Sequence, residues 1–157
     1  MSDANVFHNV PVLLQPGHGN LCWYLSYQMV VAYERGRARG GGLTDPSENP
    51  YTQAKYGRNE GVGNTGADER ERVAGMLGFR WLAMSPSPEG MLDMLGYGPV
   101  IYHGAWGTGG HVVVIVGMGE GTLVWNCPNN GRQTSDAVQF LTVHPQQVAV
   151  RGLSLVP

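Results

Sequence analysis

The chain carries two cysteines, Cys22 and Cys127, and five histidines. Cys22 stands in "GNLCWYLSYQMVVAY", where a glycine-marked loop passes into a run with apolar residues at Leu21, Leu25, Met29, Val30 and Tyr33, the period of a helix. A thiol attacks as thiolate, and the unpaired N–H groups and dipole at a helix N-terminus favour that anion. Asn20 is a candidate cap for this helix. Most free cysteines are small buried hydrophobes, so a partner base must decide between packing and chemistry.

His111 opens "HVVVIVG" directly after "GTGG", where small residues let another backbone or a substrate come close. That position suits a general base. His103, which begins the preceding loop, is expected to line or edge a cleft rather than to move protons. A third group should accept a hydrogen bond from the second imidazole nitrogen, and Asn126 in "TLVWNCP" lies across a hairpin, fifteen positions downstream. Cys127 alternates to the other strand face and reads as packing, with no disulfide to Cys22 expected. Acyl transfer also needs donors for an oxyanion; the backbone N–H of Cys22 and the Gln15 side chain are the candidates. Each residue alone has an ordinary explanation, as a strand-end histidine, a polar residue before Pro128 or a turn glutamine before Pro16. The ordered set is harder to obtain by chance.

The elements that must position these residues run from helical to sheet-like. Helix one starts at Leu21 and stops near Gly36. A second helix is expected over Ala67–Leu77, with Thr65 and Asp68 resembling a capping box and Gly78 at its end. A third spans Pro88–Leu95, with Ser87 as cap and Pro88 in the first turn. After Gly98, "PVIYH", "HVVVIVG", "TLVWN" and "VQFLTV" read as strands, and "GMGEG" marks a hairpin between Val116 and Thr122. The segment from Gly36 to Gly66 is glycine-rich and lacks apolar periodicity, apart from a short helix near Thr52–Tyr56; such loops are often functional. The reading is α+β, with the helix of Cys22 packed on a C-terminal antiparallel sheet.

At 157 residues the chain fits one domain, 1–157, able to bury about two-thirds of its unfolded surface. A net charge of −2 with 14% charged residues offers no basic field for nucleic acid or an anionic membrane. The N-terminal stretch has no secretory signal pattern, and no run has the length of a membrane helix. The cysteines and scattered histidines show no zinc-ligand spacing, and no cofactor is expected.

"VPVLLQPGHGNLCWYLSYQMV", "GPVIYHGAWGTGGHVVVIVGMG" and "VWNCPNNG" resemble the Gln, Cys-Trp, Gly-His and Asn/Asp-Pro blocks of papain-like cysteine peptidases. The short bacterial groups are nearest in look: plant-pathogen effector proteases and bacteriocin-leader peptidase domains. The resemblance implies a papain-like fold with Cys22 as nucleophile, His111 as base and then acid, Asn126 as orienter and Gln15 in the oxyanion hole. It also implies that Trp23 packs helix one into the cleft. Trp23, Gly109, Gly110, His103 and Trp106 are the expected substrate contacts, with Tyr51, Tyr56, Tyr102 and Trp106 as an aromatic rim. Two departures stand out. The glutamine precedes the cysteine by seven residues rather than six, so a residue near Gly17–Gly19 is absorbed or Asn20 shares the role, and "NCP" replaces the Asp-Pro of many short bacterial members.

The function so implied is peptide-bond hydrolysis in a specific protein, in a bacterial effector or toxin of the contact-dependent or type VI kind. It would be cytosolic in the producer and exported by a dedicated system into a competitor or host. A cognate immunity protein is an expected partner, and a cytosolic target such as a type II topoisomerase is one substrate of this class. The rivals are a peptidoglycan-cleaving cysteine amidase, a glutamine deamidase or transamidase, and a leader-binding module without catalysis.

Overall fold

The structure is a computed structural model describing residues 5–15, 19–62, 68–82, 86–106, 109–144 and 147–151. The side chain of Trp106 and residues 16–18 and 63–67 lie outside the described part, and with them Gly17 and Thr65. In chain order the elements are β1 (Val6–Phe7), α1 (Cys22–Gly36), a 3-10 turn (Pro46–Glu48), α2 (Pro50–Gly57), α3 (Glu69–Met76), β2 (Phe79–Leu82), α4 (Pro88–Leu95), β3 (Val100–Trp106), β4 (Gly109–Gly119), β5 (Thr122–Cys127), β6 (Gly131–Asp136), α5 (Ala137–Val143) and β7 (Gln147–Arg151).

The strands form one antiparallel sheet in the order β2-β7-β3-β4-β5-β6, with β1 pairing β4. Helix α1 lies on one face. Its buried Trp23, Tyr27, Val30 and Val31 recur at helical spacing and meet Val112, Val114 and Val116 of β4 in one core. The other face is covered by α4 and α5, whose Met91, Leu95, Phe140 and Leu141 pack on Val113, Ile115, Trp125 and Cys127. The alternation of β4 is therefore apolar on both faces, as a strand buried between two helical layers requires.

Several expectations hold at the level of single caps. α4 spans Pro88–Leu95 and Ser87 Oγ accepts the Gly90 N–H at 3.0 Å. The β4–β5 hairpin turns at Glu120 and Gly121, both at positive φ (54° and 79°), the backbone that a tight two-residue turn between right-twisted strands demands.

Other expectations are corrected. "VQFLTV" is the helix α5, because Asp136 caps it by accepting the Gln139 N–H at 2.9 Å and Ala137, Phe140 and Leu141 are the buried positions of a helix, not of a strand. The sheet also takes in β1, β2, β6 and β7, so strands and helices interleave instead of following in two blocks. Asn20 does not cap α1: the N-cap position is Leu21, without a side-chain bond. The second helix begins at Glu69 rather than Ala67, with no side-chain cap at Asp68. Tyr102 is not at a rim; it is fully buried beneath α5, where its hydroxyl donates to the His144 carbonyl.

Candidate active site

Cys22 is the first residue of α1. With no side chain capping that end, the first-turn N–H groups remain available to a ligand or an anion. The Sγ atom accepts the N–H of Val112, the residue after His111, at 3.4 Å. Burial pushes the thiol pKa up; the N–H groups of Val112, Trp23 and Cys22 itself pull the other way, and Cys127 adds to the rise.

His111 sits near the start of β4, where Gly104 of β3 lies across from it. Its Nε2 is 3.2 Å from Sγ of Cys127, and that sulfur also receives Nδ2 of Asn130 at 3.9 Å. Burial pulls the imidazole pKa down, and His144 lowers it further. Asn126 is not beside His111. Its amide points to the α1 face, donating to the Val10 carbonyl at 3.0 Å and accepting from Arg132 Nε at 2.9 Å, fully buried. The cause is a register shift in the β4–β5 pair between Ile115 and Gly117. One extra residue there reverses which face of β4 matches which face of β5. Val114 then stands opposite Asn126, leaving Cys127 on the His111 face.

Gln15 is fixed between the end of β5 and the start of α1. Its N–H donates to the Pro128 carbonyl at 2.8 Å, its Oε1 accepts the Leu21 N–H at 3.0 Å, and its Nε2 donates to Asn129 Oδ1. The opposite wall is held by Trp23, which is buried and donates its indole N–H to the Glu60 carbonyl at 2.9 Å. Behind it, Lys55 joins the partly exposed Glu60 (3.3 Å) and Glu69 (2.8 Å), and the Lys55 and Glu69 side chains are buried together. Between these walls runs a cleft of about 420 Å³ onto which Cys22, His111, Gln15, Trp23, Gly110 and Asn20 all open. Arg70, His103, Gly61 and Gly104 complete its floor and far side.

A thiol at a helix N-terminus, an imidazole from the facing strand and an upstream amide on one cleft form an acyl-transfer arrangement. The sequence profile described as papain-like cysteine protease AvrRpt2 matches residues 4–144. The chain belongs to that family. This papain-like cysteine protease is similar in fold to a double glycine motif protease from an AMS/PCAT transporter, solved in complex with the leader peptide. The likeness has a TM-score of 0.54 at 18% identity over 92% of each chain. No curated protein sequence matches it.

Within the protease the cleft gathers Cys22, His111, Gln15, Trp23, Gly110 and His103. Gly109 closes the β3–β4 pair opposite Trp106. Cys127, expected only to pack, does sit in the core but also faces the imidazole, and Arg70, which lines the cleft, is not singled out by the sequence. Among the described residues no group of three His, Cys, Asp or Glu side chains could hold a metal ion.

Proposed function

We propose that the protease cuts a peptide bond with Cys22 as nucleophile and His111 as base, and that it does so in one protein of a cell into which it is delivered. The observation that carries the chemistry is the contact of Cys22 Sγ with the N–H of Val112, which ties the thiol to the strand end bearing His111. With Nε2 of His111 beside Cys127, this reading assigns Nδ1 to the nucleophile. The thiol passes its proton to His111 as sulfur bonds to the scissile carbonyl carbon. The oxyanion is met by the N–H of Cys22 and by the Nε2 hydrogen of Gln15 that Asn129 does not use. His111 then protonates the departing amine, and water, deprotonated by the same imidazole, releases the acyl group and regenerates the thiol.

A peptide substrate is supported by the shape of the cleft, whose glycines at 61, 104 and 110 leave room for an extended main chain. The fold neighbour is a protease held with a leader peptide. The effector role, with an immunity protein restraining the enzyme in its producer, extends the resemblance to bacterial effector proteases. The test is expression of wild type, Cys22→Ala and His111→Ala in bacterial cytosol, with and without an export signal, followed by mass spectrometry of new protein termini. Cytosolic growth arrest with one discrete cleaved protein, lost in both variants while they stay folded, is the expected result. Arrest only after export moves the substrate to the cell wall, and a fully active variant overturns the assigned chemistry.

A further inference from the structure

The cleft is lined by two residues with buried hydrogen-bonding nitrogens that nothing among the described residues satisfies. His103 is 1% exposed. Its Nε2 lies 3.0 Å from the Tyr27 hydroxyl, and its Nδ1 has no partner. Tyr27 is fully buried, and burial raises its pKa so far that the phenol stays protonated. That hydroxyl has His103 as its hydrogen-bond partner. If Nε2 carried the ring proton, two hydrogens would compete for one contact and the phenol proton would be stranded in the core. The phenol therefore donates to Nε2, and the neutral ring carries its proton on Nδ1. Trp81 packs edge-on against the ring at 4.9 Å and fixes its plane.

Arg70 lies beside it, close enough for its charge to depress protonation of His103. Its Nε is buried without a partner. Among the described residues no carboxylate pairs with Arg70: neighbouring Glu69 is taken by Lys55 and Tyr51, and Asp68 lies toward Arg72 at 3.7 Å. The Lys55–Glu69 pair anchors the start of α3 and so holds Arg70 against the cleft. A buried guanidinium Nε–H and a buried neutral imidazole N–H without partners, on two residues that line the cavity containing Cys22, are costly to keep in the absence of an acceptor. Two donors and no acceptor select against Lys, Arg and apolar groups and for a carboxylate, the acceptor that gains most from a guanidinium.

We infer that Arg70 and His103 form a recognition pocket for a carboxylate of the peptide substrate, an acidic side chain at a fixed distance from the scissile bond. This rests on the peptidase reading above and deepens it.

Two measurements separate the pocket from that reading. In the first, wild type and Arg70→Gln digest a proteome-derived peptide library. Wild type is expected to cut peptides enriched in Asp or Glu at one position relative to the new terminus. Arg70→Gln, folded with an unchanged melting temperature, is expected to cut those peptides about tenfold to a hundredfold more slowly and to lose the enrichment. Cutting only at a fixed distance from free C-termini would assign the same pocket to the terminal carboxylate. Cutting with no acidic preference, or a preference that survives in Arg70→Gln, overturns the pocket while leaving the protease standing.

The second measurement does not depend on cleavage. In Cys22→Ala, the His103 ring nitrogens are followed by NMR during titration with N-acetyl-aspartate amide and N-acetyl-asparagine amide. A protonated Nδ1 whose resonance moves with the aspartate probe only, and not after Arg70→Gln, supports the pocket even if no library peptide is cut. A proton on Nε2, or no difference between the two probes, overturns it.

Discussion

Nε2 of His111 lies 3.2 Å from the sulfur of Cys127, in the place where an amide or carboxylate orienter is expected. The neighbouring Asn126 turns to the other face of the sheet and binds Val10 and Arg132. The choice between them is made several residues away, at the β4 irregularity between Ile115 and Gly117. Near the turn, Gly117 pairs with Val124, and continuing that register would bring Asn126 to the face of His111. The extra residue changes the parity, and a thiol takes the position.

The two adjacent residues should therefore fail differently. Cys127→Ala is expected to lower kcat about tenfold, with melting unchanged. That falls short of the about ten-thousandfold cost of losing a tautomer-fixing carboxylate in serine triads, because a thiol is a weak hydrogen-bonding group. Cys127→Asn, which puts an amide beside Nε2, should restore or exceed the wild-type rate. Asn126→Ala instead removes a fully buried amide from Arg132 and Val10 and should cost about 1–3 kcal/mol in denaturant unfolding, with kcat of the folded fraction retained.

Burial raises the thiol of Cys22 and lowers the imidazole of His111, so both shifts favour the neutral pair over thiolate and imidazolium at rest. Alkylation of Cys22 by iodoacetamide should accordingly be slow near neutral pH and rise about tenfold per pH unit into the alkaline range, following the thiolate fraction. A rate already at its plateau below pH 7 would mean a preformed ion pair. Mass spectrometry of Cys22 against the buried Cys127 gives the site-resolved rates.

What the sequence made legible was local. The apolar spacing of α1, the Ser87 cap of α4 and the turn at "GMGEG" are each encoded within a few residues, and the local settings of Cys22, His111 and Gln15 mark three residues that the fold brings onto one cleft. What it hid depended on distant contacts. The β-branched and aromatic run "VQFLTV" reads as a strand until the Asp136 cap and the burial of Phe140 on Trp125 outweigh propensity. The sequence does not single out Arg70, because its place on the cleft depends on how α3 packs and not on its neighbours in sequence. Strand alternation correctly separated Asn126 from Cys127, but the irregular register that assigns their faces has no marker in the sequence.

His103 gives the fold an acid limit. Burial, reinforced by Arg70, pulls its pKa down to about 3 from 6.5, so in the folded protein it stays neutral while the unfolded chain takes up a proton below pH 6.5. The unfolded state then binds more protons, and stability falls as pH drops from 6.5 toward about 3, by at most about 1.4 kcal/mol per pH unit for this group. The lowered His111 adds in the same direction. The exposed Glu48, held down to about 2 by Arg35 and the Asp45 N–H, contributes only below its ordinary 4.5. Urea unfolding between pH 6.5 and 4.5 should therefore show a slope that shrinks in His103→Gln.

The Lys55–Glu69 pair is the last link between scaffold and site. Lys55 Nζ and Glu69 Oε2 are 2.8 Å apart, with side chains 1% and 0% exposed, and Tyr51 adds a hydrogen bond to the same carboxylate. Removing one partner leaves the other charge buried and uncompensated, so Lys55→Met or Glu69→Leu alone should cost about 3–5 kcal/mol, whereas the double substitution should cost much less than the sum. Because Glu69 begins the helix that carries Arg70, and because Lys55 also holds Glu60, whose carbonyl receives the Trp23 indole, the stable double variant should still show a raised KM with a smaller change in kcat. A double variant with normal KM would mean that the cleft wall is set by apolar packing alone, without this buried pair.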